Sequence, residues 1–222
     1  MQPTSSGRSG SAIQLGLVDA VKDLLFVDPV FWVGAVIICV ILIVIFRRNR
    51  MRPKAGALIL PLIFYYYLCV MLTKVVGIST LREYIRLSEL GEAFFNPSVD
   101  LTPFSDGLSL GFILNILLFA PLGFLCPLIS RHYQCVKTAL LLGSGLSLSI
   151  EIVQLFTLHR STDINDLIAN TACTLAGYFC FRLVHGRAMT KAHPEAGPKE
   201  PRGMRYMPAA IIAAAFILGF FS

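Results

Sequence analysis

From Val30 to Phe46 the chain runs for 17 residues without one charged side chain. Further predominantly apolar runs follow at about 57–76, 108–129, 138–158, 167–184 and 208–222. An α-helix rises 1.5 Å per residue, so runs near 20 residues match a hydrocarbon core about 30 Å thick. The fold class this dictates is all-α: a polytopic transmembrane helical bundle of five or six spans. The sixth run is short for a span, so it is expected either to cross under strain or to be re-entrant.

Composition supports the same class. Hydrophobic residues make up 55% and charged residues 14%, with a mean hydropathy of +0.71. Soluble domains carry about 25% charge. A disordered chain, a nucleic-acid module and an ordinary soluble enzyme are thereby excluded. The net charge of +6 does not point to nucleic acid, because the cations cluster beside the apolar runs. Arg47-Arg48-Asn49-Arg50-Met51-Arg52-Pro53-Lys54 is the densest cluster, and the positive-inside rule makes it cytoplasmic. The N-terminus is then expected outside.

Organisation follows from these boundaries. Residues 1–29 are expected to form a disordered tail and an interfacial amphipathic helix over 13–27, where Leu17, Val18, Val21, Leu24 and Leu25 share a face. Asp28-Pro29 ends that helix. Residues 30–56 hold the first span and the basic loop. The first run has its cluster of cations behind it, not in front, as an uncleaved anchor does. Residues 57–185 form the main membrane domain, 186–207 a cytoplasmic linker and 208–222 the last apolar segment. The loop at 77–107 is external and begins with a second amphipathic helix, Leu81 to Leu90. Five of the six cysteines lie in apolar runs, and no C-x-x-C occurs. Neither a disulfide framework nor a zinc site is indicated.

Polar side chains within spans are costly and default to functional hypotheses. Segment four carries Ser144, Ser147, Glu151 and Gln154 at steps of three, four and three, which is one face of a helix. Segment three carries Asn115. Segment five carries Asn170, Thr171 and Thr174, with Asp163, Asn165 and Asp166 at its mouth. Counted from the outer ends of their segments, Asn115 and Glu151 lie about 10 Å deep, and Gln154 and Asn170 about 6 Å. Three helices thus present polar groups at similar depth in the outer half of the membrane. Glu151 is the central group. It suits a proton donor or acceptor, a polar anchor, or, with Asp163 or Asp166, a ligand for a divalent cation. The competing structural role is a strut to Asn115, Asn170 or a serine. Asp163 or Thr162 also suits a helix N-cap. Two acids three residues apart do not specify a metal site, and no metal or cofactor is expected. No nucleophile paired with a base and no P-loop is present, so whether the chain is an enzyme stays open. Pro121 and Gly123 read first as a kink and a close-packing position.

Several motifs occur together and in order. They are N-I-L-L-F-A-P-L-G (Asn115–Gly123), S-I-E-I-V-Q-L (Ser149–Leu155), D-I-N-D-L-I-A-N-T (Asp163–Thr171) and A-G-Y (Ala176–Tyr178), with L-T-P-F (Leu101–Phe104) upstream. The chain resembles the VanZ-like family of bacterial membrane proteins over about 57–185. The resemblance carries the family's polar positions onto Asn115, Pro121, Gly123, Glu151, Gln154, Asp163, Asp166, Asn170 and Gly177. It departs at Asn165, where the family often has an acid, and at Cys173, where it often has glycine. The family takes its name from a member associated with low-level teicoplanin resistance. The resemblance therefore implies cell-envelope biology, with a glycopeptide-resistance accessory as the precedent, and no particular reaction. The expected partner is a membrane lipid or lipid-linked envelope precursor, held by Glu151 as acid/base or anchor with Asn115, Gln154, Asp163, Asp166 and Asn170 as binding residues. A small proton-coupled transporter and a non-catalytic assembly partner are the alternatives. The ligand and the oligomeric state are not legible.

Overall fold

The computed structural model describes residues 19, 22–23, 26–91, 99–100, 110–156, 162–191 and 200–222. The fold is an all-α bundle. Its helices are α1 (Val30–Arg48), α2 (Ala55–Val70, continued by a π-helical stretch Met71–Val76), α3 (Leu81–Glu89), α4 (Leu110–Ile129), α5 (Val136–Gln154), α6 (Ile164–Lys191), α7 (Arg202–Arg205) and α8 (Met207–Phe220). Two strands of two residues each, β1 (Val99–Asp100) and β2 (Thr162–Asp163), pair in parallel. Four helical stretches are long and apolar enough to cross a membrane: Val30–Arg48, Ala55–Glu89, Val136–Gln154 and Ile164–Gly186. Asn115–Ile129 and Met207–Phe220 are shorter apolar helices.

Hydropathy places the spanning helices well because lipid and helix core are equally apolar, so each of these helices is apolar nearly all round. On α1, Phe31, Gly34, Ile38, Leu42 and Phe46 are buried at steps of three and four. Trp32, Val33, Val36, Val40 and Val44 on the other side are exposed, as suits a lipid-facing surface. Asp28 caps α1, its carboxylate accepting the Val30 N–H at 2.9 Å. Of the helix expected over 13–27, residues 19, 22 and 23 are helical and exposed, Phe26 and Val27 are not helical, and the rest lies outside the described residues.

The bundle has a basic end and a polar end. The α1–α2 loop, the 131–134 turn and α7 meet at the first: Ser130 Oγ donates to the Arg205 carbonyl, and the Arg131 N–H donates to Glu200 Oε1. The starts of α4 and α6 and the end of α5 meet at the second. Tyr65 and Tyr67, set mid-span, tie helices together as their position predicts. The Tyr65 hydroxyl donates to the Phe31 carbonyl and that of Tyr67 to the Leu118 carbonyl. Tyr66 is instead exposed.

The last apolar segment reaches from end to end. At its start, Gly203 abuts the Ile45 side chain. At its finish, Gly219 abuts Ile78 and Thr73, and Phe220 packs on Tyr84 with ring centroids 5.9 Å apart. Its shortness is offset by α7, which carries the first turn. The expected linker from 186 also begins later than its polar composition suggests, because α6 continues as helix through Lys191.

The closest helix contact is between α4 and α6. A Cβ on Gly123 would land on the Thr174 carbonyl, and one on Gly177 would land on the Ala120 carbonyl. A Cβ on Gly143 of α5 would sit 2.6 Å from Thr174 Oγ1. Glycine is required at Gly123 and Gly177 because the backbones approach without room for a side chain, and at Gly143 the Thr174 side chain fills the space. This three-helix contact sets the spacing of the polar residues above it.

Candidate functional site

The polar residues on α4, α5 and α6 do come together, in two layers. The outer layer is built on the start of α6. Asp163 is its N-cap, its Oδ1 accepting the Asn165 N–H at 2.8 Å. The backbone N–H of Asp163 itself donates to Glu151 Oε2 at 3.1 Å. A capping box normally draws this second acceptor from the same helix. Here α5 supplies it, so Glu151 locks the end of one helix to the start of another. The positive end of the α6 dipole lies at the same place, with Asp166 in its first turn. Asp166 Oδ1 accepts from Asn115 Nδ2 of α4 at 3.0 Å.

The inner layer is neutral. Asn170 Nδ2 donates to Ser147 Oγ at 2.9 Å, and Thr174 Oγ1 donates back to the Asn170 carbonyl at 2.9 Å. Asn170 Oδ1 and Thr171 Oγ1 are buried and accept nothing from the described residues. Ser147, Glu151, Gln154 and Asn170 are 0%, 4%, 8% and 4% exposed, so this polarity faces the bundle interior and not lipid. Ser144, expected on the same face, is half-buried and bonds back to the Leu140 carbonyl of its own helix.

Two expectations need correction. Hydropathy carries the fourth segment to Leu158, but α5 ends at Gln154. Glu151 therefore lies within the last turn, about 4.5 Å from the helix end and not 10 Å. Asn170 is six residues into α6, about 9 Å along it, and so lies deeper than expected. Hydrogen bonds join these groups across the helices. Glu151 bonds the Asp163 amide, Asn115 bonds Asp166, and Asn170 takes the serine.

One part of the site has no signature in the sequence. Strand β1 pairs Val99 with Thr162 and Asp100 with Asp163, which lays these two residues of the 77–107 loop against the mouth. A two-residue ladder is too short to leave a periodic pattern. His159 and Arg160, which precede the mouth in the sequence, lie outside the described residues. His132 and His185 are at the basic end, away from the site. Among the described residues no group of three His, Cys, Asp or Glu is placed to hold a metal ion.

A buried carboxylate, a carboxamide–carboxylate pair and an inner shelf of amide and hydroxyls now define the class: a helical membrane protein with a polar site at one end. The family described as VanZ/LLP1 matches residues 34–185, more than half of the chain, and the protein belongs to that family. The match begins before residue 57 and so takes in most of α1, which the quoted motifs alone left out. No curated protein and no solved structure shows significant similarity to the chain.

Proposed function

We propose that this is a multi-pass protein of the bacterial plasma membrane, with its basic end in the cytoplasm and its N-terminus and polar end outside. The polar end engages a lipid or lipid-linked cell-wall component in the outer leaflet. Its physiological role is that of an accessory to glycopeptide, specifically teicoplanin, resistance. The observation that carries this reading is Glu151, a carboxylate 4% exposed in the last turn of α5. Burying a carboxylate costs on the order of several kcal/mol, and packing alone does not call for one. Glu151 serves as polar anchor or acid/base. Asn115, Gln154, Asp166 and Asn170 orient the bound group, the buried Asn170 Oδ1 being an acceptor for a hydroxyl or amine. Asp163 holds the carboxylate, and β1 borders the mouth.

The test is photo-crosslinking of the full chain in membranes with a lipid-linked precursor bearing a photoreactive group near its phosphate. Crosslinks are expected on α5 and α6 residues near 151–154 and 166–170. Labelling confined to the lipid-facing residues of α1 would refute the assignment. A second reading is favoured by the Asn115–Asp166 and Asn170–Ser147 pairs, which satisfy one another across helices. In it the polar layers only hold the bundle together, and no crosslink forms there.

A further inference from the structure

At the basic end the structure holds a cleft of about 280 Å³ unrelated to the polar site. Its walls are apolar: Phe46, Met51, Pro127, Ile129 and Met204. Its rim carries Arg131, Gln134 and Glu200. Three chain segments meet here, and their charges are one-sided. Arg47, Arg48, Arg50, Arg52 and Lys54 lie on the first, Arg131 on the second, and Arg202 and Arg205 on the third, all exposed. The acid among these segments, Glu200, already accepts the Arg131 backbone N–H at 3.2 Å. Among the described residues none of these cations forms an ion pair. Arg205 is turned aside, its Nε on His132 Nδ1 and its guanidinium over the Tyr206 ring.

We propose that this cleft binds the headgroup end of an anionic phospholipid from the leaflet at the basic end. The shape and charge select that occupant. Small-ligand sites span roughly 300–1,000 Å³, so the cleft accommodates a glycerophosphate and the first methylenes but not a whole lipid. The apolar wall suits those methylenes, and Arg131 at the rim, with the exposed cations of the adjoining segments, suits a phosphate placed at the membrane surface. Basic pockets between helices at a membrane face take anionic headgroups by the same electrostatics. A lipid seated there bridges the α1–α2 loop, the end of α4 and α7, and so pins α8 to the bundle.

The test uses the full chain, purified in detergent and equilibrated with equal amounts of phosphatidylglycerol and phosphatidylcholine. Retained lipid is read by native mass spectrometry, with thermal unfolding measured in parallel. Selective retention of phosphatidylglycerol is expected, with a raised unfolding temperature. Arg131→Gln should cut retention about fivefold, the worth of one cation at a membrane surface. Met204→Trp, which fills the cleft, should abolish it; if that variant does not fold, Arg131→Gln decides. Equal retention of phosphatidylcholine would overturn the proposal, as would retention unchanged by either substitution. Equal stabilisation by millimolar inorganic phosphate would make this a soluble-anion site and overturn the lipid assignment.

Discussion

Replacing Gly123 by alanine tests whether the α4–α6 contact sets the site. The new Cβ falls on the Thr174 carbonyl, a backbone atom with no rotamer to escape into. The helices must part by about 1 Å, which forfeits a quarter to a half of the dispersion energy of each contact at the crossing. Overpacking of this kind costs about 1–3 kcal/mol, and an immovable carbonyl puts it near the top of that range. Alanine's better helix propensity returns about 0.5–1 kcal/mol. The net expected loss is about 2 kcal/mol. The assay is equilibrium unfolding of the full chain in mixed micelles. Gly145→Ala is the control, because a Cβ there meets nothing within 4 Å. It should be neutral or stabilising by about 0.5–1 kcal/mol. Gly177→Ala should resemble Gly123→Ala, and the double variant should lose less than the sum, since helices once parted admit the second methyl. A Gly123→Ala protein as stable as Gly145→Ala would refute the reasoning.

Three further outcomes follow from the geometry. A double-mutant cycle on Asn115→Ala and Asp166→Ala should give a coupling of about 0.6 kcal/mol, the mean for interhelical hydrogen bonds in membranes; zero coupling would contradict the 3.0 Å pair. Asp163→Ala should destabilise by about 1 kcal/mol through loss of the N-cap, whereas Asp163→Asn should stay near wild type; equal losses in chemical unfolding would contradict capping. In a chain otherwise stripped of cysteine, Ser222→Cys should react with an impermeant maleimide in intact cells and Cys135 should not. Equal reactivity of the two would contradict the end-to-end path of the last segment.

The spans were legible because hydropathy responds to lipid as solvent, and lipid acts on every helix alike. The polar face of α5 was legible for the same reason, since a glutamate and a glutamine among apolar neighbours stand out at helical spacing. What hydropathy does not encode is which partner each polar group takes. Asn115 had chemically equivalent choices in Glu151, Asp166 and Asn170, and the Gly123–Gly177 crossing decided for Asp166 by fixing the phase of α4 against α6. Hydropathy misplaces the depth of Glu151 because Leu155 and Phe156 are apolar yet form a turn beyond the end of the helix. The last turn of α5 meets the α6 cap through Glu151 and the Asp163 amide, a tertiary contact. Ser144 was assigned inward by periodicity alone, yet a serine can satisfy itself on its own helix, as it does on Leu140.

The central claim is that Glu151 serves envelope function and not bundle packing. The most direct measurement is teicoplanin and vancomycin susceptibility of a sensitive Gram-positive host expressing wild type or Glu151→Gln at matched membrane levels, with micellar unfolding of both proteins alongside. The account predicts selective protection against teicoplanin by wild type, lost in a variant that still inserts and folds. Protection retained by a folded Glu151→Gln protein would contradict it.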